Sequence, residues 1–116
     1  MSQAAGLTAY PRRGEVWWVD FDPTRDSEIR RRRSAVVLTP NALNRVRRTV
    51  IVAPLSTGPL PRPPIVIPVP SAGSQSVAVC DQLRAVDKGR LTQLGGRLAP
   101  PDLRAVLDRV RSVPAL

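Results

Sequence analysis

A chain of 116 residues, 42% hydrophobic, with 13 prolines and an aromatic share of only 3%, is long enough for one domain with a core of its own and many turns. Its 18 basic against 9 acidic residues leave a formal charge of +9 and a pI near 11.6, which makes a polyanion the expected partner. Having no histidine and only one cysteine, Cys80, it excludes a Cys/His nucleophile pair, a histidine-ligated zinc and an internal disulfide.

Residues 1–11 read as a loose leader, lacking the apolar core of a signal peptide, and the single domain follows from 12 to 116. "GEVWWVDFD" (14–22) alternates Val16, Trp18 and Asp20 with Trp17, Val19 and Phe21, the period of a strand. A long loop, "PTRDSEIRRRR", leads to "SAVVLTP" (34–40), a short unbroken apolar run of the kind that forms a central buried strand. "NALNR" reads as a turn or one helical turn, and "RTVIVAPLS" (48–56) as a third strand. "GPLPRPPIVIPVP" reads as an extended loop entering an edge strand, where missing amide donors do little harm. Its other reading is a polyproline ligand, since Pro61 and Pro64 have the spacing.

"SVAVCDQLRAVD" supplies one or two more strands, with Cys80 as a buried, inert thiol, and "LTQLGGRL" reads as a turn-rich link broken at Gly95 and Gly96. Leu103, Val106, Leu107, Val110 and Val113 recur at helical spacing after Pro101 and Asp102, with Arg109 and Arg111 near the end, which predicts an amphipathic closing helix. Short strands about ten residues apart and one helix predict a mainly β fold, a small twisted barrel or sheet, over a βαβ architecture. No segment reaches the roughly 18 apolar residues of a membrane span, so the expected location is the cytoplasm.

The charge is not evenly spread. Residues 30–48 hold Arg30, Arg31, Arg32, Arg33, Arg45, Arg47 and Arg48 and no acidic residue. A coding bias towards arginine explains the scarcity of lysine but not this clustering. Arginine forks suit phosphate, and RNA carries its own nucleophile, the 2′-hydroxyl beside each phosphodiester. An enzyme acting on it needs to align that oxygen, neutralise the pentacoordinate phosphorus and move two protons. Arg33 abuts the apolar strand and is expected to be held rigidly while Arg30, Arg31 and Arg32 ride on the loop. Ser56 and Thr57, ending "VIVAPL", offer hydroxyls at a sheet edge or ordinary strand capping, and Glu28 offers a carboxylate to orient Arg33 or accept a proton.

"RGEVWWVDFDPTRDSE", "RRSAVVLTP", "VAPLST" and "DQLRAVDKGRL", in this order, resemble the MazF/PemK family of toxin endoribonucleases from type II toxin–antitoxin modules, over most of the chain. The resemblance implies an SH3-like barrel (CcdB/MazF-type) with a C-terminal helix, acting as a homodimer. It implies sequence-specific cleavage of single-stranded RNA without metal or other cofactor, leaving a 2′,3′-cyclic phosphate and a 5′-hydroxyl. It also implies a cognate MazE-like antitoxin whose acidic C-terminal tail folds into the basic groove. By position, the catalytic arginine falls on Arg33, the hydroxyl on Ser56 and the loop glutamate on Glu28, while Gln82 and Arg84 match a segment near the RNA groove. Arg45, Arg47 and Arg48 are expected on the flanking RNA backbone. The chain departs from the family pattern at Asp26, Ile29 and Ser34, and in having serine at 56. Two other readings are a topoisomerase-binding toxin of the same fold, which has no need of Arg33 with Ser56, and a noncatalytic nucleic-acid-binding barrel, weakened by the scarcity of aromatic residues.

Overall fold

The structure, a computed structural model, describes residues 9–21, 32–57 and 66–112. The alternating first run forms β1 (Glu15–Asp20), antiparallel to β2 (Arg32–Val37) in a register that sets Val16 against Val36 and Val19 against Arg33. The other edge of β2 pairs with β3 (Thr49–Ser56), so β2 is a central strand, as its unbroken apolar run predicts. Between them α1 (Asn41–Val46) is a short helix entered from Pro40. The far edge of β3 is shared by two strands, β5 (Val77–Val79) beside Leu55 and Ser56, and β6 (Arg84–Asp87) beside residues 49–52. Among the described residues the proline-bearing β4 (Val66–Pro68) pairs with β5 alone and forms one edge of the seven-stranded sheet, while β7 (Leu91–Arg97) pairs with β1 and forms the other. The closing helix α2 spans Pro100–Ser112.

Alternation along the central strands feeds two cores. Val36, Ala53 and Leu55 point to a core completed by Cys80, Leu98 and Val106, against which Leu103, Leu107 and Val110 of α2 pack. Ala35, Val37, Val50 and Val52 point the other way, into a core with Val19, Phe21 and Val86. Residues of β1 and β6 meet in this second core although β2 and β3 lie between them, so the sheet curls into a barrel. Arg13 is built into its base: Nε donates to the Leu38 carbonyl at 2.7 Å, and burial, with repulsion from Arg111 second, lowers its pKa below the usual arginine value. Among the described residues no helix is long and apolar enough to cross a membrane.

Two expectations are corrected. The stretch around Gly95 and Gly96 is a strand, not a link: as a sheet edge it needs pairing on one side only, and the glycines sit where the β1–β7 register shifts. Arg32 lies inside β2, opposite Asp20, and does not ride on the loop. Glu28, Arg30 and Arg31, like the polyproline reading at 61–64, lie outside the described residues.

Candidate active site

Arg33 is exposed on β2, and its Cα partner is Val19, so its side chain belongs to the face of the second core. Ser56 ends β3, half-buried, and alternation from Val50 and Val52 puts it on the same face. Ala35 faces Pro54 across these adjacent strands, and two further steps along each reach Arg33 and Ser56. The β2–β3 pairing ends at Ala35 and Pro54, which has no amide donor, while Leu55 and Ser56 pair on the other edge of β3 with Ala78 and Val77. A guanidinium and a hydroxyl thus lie on one face of two neighbouring strands whose apolar runs anchor them.

Arg84 joins this face because its partner on β3 is Val52, and its guanidinium carbon lies 4.7 Å from the centroid of the Phe21 ring. Thr57 is exposed just past β3, and Gln82 is exposed in the turn before β6, its amide donating to the Val79 carbonyl at 3.2 Å.

Arg32 takes the opposite face. Its Nη2 donates to Gln93 Oε1 at 2.9 Å, its Nε to Thr92 Oγ1 at 3.3 Å, and it lies 5.3 Å from the Trp18 ring centroid. Nor do the described arginines of the sequence cluster form one patch. Arg45 is on α1, and Arg47 and Arg48 sit at the start of β3, whose length from Thr49 to Ser56 is about 23 Å. Arg48 faces Asp87 at 4.0 Å, both well exposed, so this pair contributes little.

The sequence reading gives the aromatic residues no role beyond the first strand. Tyr10, Trp17, Trp18 and Phe21 are the chain's entire aromatic complement, and all fall within residues 10–21. Three of them carry an arginine on the ring, with Arg12 at 4.6 Å from the Tyr10 centroid. Their clustering was visible in the sequence; their low total obscured it. Among the described residues no three His, Cys, Asp or Glu side chains converge as a metal site.

Known proteins resemble this chain in sequence and in fold. Two enzymes of Escherichia coli are each 31% identical to the chain: endoribonuclease PemK, over 87% of this chain and 80% of its own length, and endoribonuclease toxin MazF of strain K12, over 86% and 90%. Endoribonuclease MazF9 of Mycobacterium tuberculosis is 35% identical, covering 84% of this chain and 89% of its own. The crystal structure of MazF from Deinococcus radiodurans superposes with a TM-score of 0.73 at 25% identity, covering 92% and 98% of the two chains. The MazE-MazF complex of that organism shares the fold at a TM-score of 0.72 and 23% identity, over 92% of this chain and 97% of its own. The family signature described as PemK-like, MazF-like toxin of type II toxin-antitoxin system matches residues 12–113. With its barrel, its closing helix and this signature over nearly its whole length, the chain belongs to the PemK-like, MazF-like toxins of type II toxin–antitoxin systems.

Proposed function

We propose that this chain is an endoribonuclease that cleaves single-stranded RNA by transesterification, without a metal, and that a cognate antitoxin with an acidic tail neutralises it. The observation that carries the reading is the placement of Arg33 and Ser56 on one face of adjacent strands, each at the end of an anchored apolar run. Homologues of 31–35% identity named as endoribonucleases support it.

In this mechanism the 2′-oxygen attacks its neighbouring phosphorus and the bond to the 5′-oxygen breaks. Arg33 donates to the non-bridging oxygens and stabilises the phosphorane. It is not the base, because a guanidinium keeps its proton. Glu28 orients Arg33 or takes the 2′-hydroxyl proton, Ser56 supplies a second donor or relays a proton, and the leaving 5′-oxygen takes up a proton with the help of Arg33 to become the 5′-hydroxyl. The acidic antitoxin tail meets a chain of charge +9, and a homodimer is the expected assembly.

The test is incubation of a long single-stranded RNA with wild type, Arg33→Ala and Ser56→Ala in excess EDTA, followed by end analysis. Wild type should give discrete fragments with cyclic-phosphate ends, and loss of one phosphate donor should slow cleavage by about 10²- to 10³-fold. Intact RNA with wild type, or Arg33→Ala turning over like wild type, would overturn the assignment.

A further inference from the structure

A pocket of about 540 Å³ opens between the Ala9–Arg12 segment and β7, with Tyr10, Arg12, Trp17, Lys88, Leu91 and Leu94 among its walls. We propose that it receives one nucleobase of the RNA substrate, making Tyr10, Trp17 and Leu94 determinants of the sequence the enzyme reads. This rests on the endoribonuclease reading above.

The walls come together for a structural reason. Trp17 pairs with Leu94 and Val19 with Leu91, so a register shift puts two leucines three residues apart on the same face as Trp17 and Val19. Trp17 and Leu91 back onto the second core, while Leu94 is left 49% exposed. Two aromatic residues and two leucines lining one cavity, with the Arg12 guanidinium on the Tyr10 ring, are the elements by which proteins stack unpaired bases.

The charge favours an anion. Glu15, the acidic residue of the lining among the described residues, is buried: its Oε1 accepts from the Arg12 amide at 2.8 Å and the Trp17 indole at 3.0 Å, and Arg97 lies 3.7 Å from its Oε2. Arg12 and Lys88 are the cationic residues that remain.

Position suits RNA as the occupant, and the pocket's aromatic walls suit a base over an acidic side chain. Arg33, Val19 and Leu91 form one row across β2, β1 and β7, all on the second-core face. Two strand spacings, about 10 Å, therefore divide the Arg33 backbone from the Leu91 wall. An RNA strand whose scissile phosphate meets Arg33 has its neighbouring nucleotides within reach of this opening.

The experiment uses a fully 2′-fluoro oligonucleotide, which lacks the attacking hydroxyl, in a series with one abasic position moved along it. Affinities are measured for wild type, Tyr10→Ala and Leu94→Asp, with Trp17→Phe as a further variant because truncating Trp17 threatens the core. At one position, loss of the base should weaken wild-type binding by about 5- to 150-fold, and that penalty should vanish in Tyr10→Ala and Leu94→Asp. An abasic profile shared by wild type and both variants would overturn the proposal. So would an unchanged profile accompanied by loss of an acidic antitoxin-tail peptide or by dissociation of a dimer in Leu94→Asp, which would assign the pocket to a peptide or to a second copy. Cleavage of the all-ribose RNA by wild type, followed in parallel, tests the enzyme reading separately: its absence removes that reading while the binding series still decides the pocket.

Discussion

Glu15 is a single residue on which several local features converge. It is 8% exposed, and its Oε1 takes both the Arg12 amide and the Trp17 indole. Arg97, at 3.7 Å, is mostly exposed, so the ion pair matters less than the two hydrogen bonds. Glu15→Ala leaves two donors without their acceptor and should cost about 2–4 kcal/mol by urea denaturation, with Glu15→Gln losing less. Cys80 gives a chemical counterpart. Burial pushes its thiol up to about 11, so at pH 8 iodoacetamide should leave it unmodified in the native protein and alkylate it in urea. The folded state holds this proton more tightly than the unfolded chain, so the residue's contribution to stability is kept below pH 9 and falls as pH rises towards 11.

Among the elements, β7 shows where sequence patterning loses its grip. Strands β1, β2 and β3 and helix α2 were legible because each buries a stripe or a continuous run, and burial imposes a period on the sequence. An edge strand exposed along most of its length imposes none, and Gly95 and Gly96 look like a turn when they are part of a register shift. Gly96 has φ +144°, and an added Cβ there meets nothing within 4 Å, so only backbone strain opposes substitution. Gly96→Ala should therefore destabilise the protein by about 1–3 kcal/mol in equilibrium unfolding without crowding any neighbour. The strand ends that carry Arg33 and Ser56 were legible for the same reason as the strands, since each borders a buried run. That they share a face required the register, which no local pattern encodes.

At the scale of the whole molecule, the charge of +9 is divided by the fold in a way the linear sequence conceals. Residues 30–48 read as one basic cluster, but a strand, a helix and the turn into β3 separate Arg33 from Arg47 and Arg48. The length of β3, about 23 Å, then lies between those two arginines and Ser56. A short RNA held at Arg33 and Ser56 has no reach to the second group, whereas a longer strand can lie across both. Each phosphate contact contributes about −0.7 to the slope of log affinity against log salt for single strands. Arg47→Ala should accordingly leave the salt slope of an RNA of about 4 nucleotides unchanged and reduce that of one of about 16 nucleotides by ~0.7. Titrating both lengths against wild type and variant measures this directly. A change in the short RNA's slope would place Arg47 at the cleavage site, and no change in the long one would remove it from the RNA path altogether.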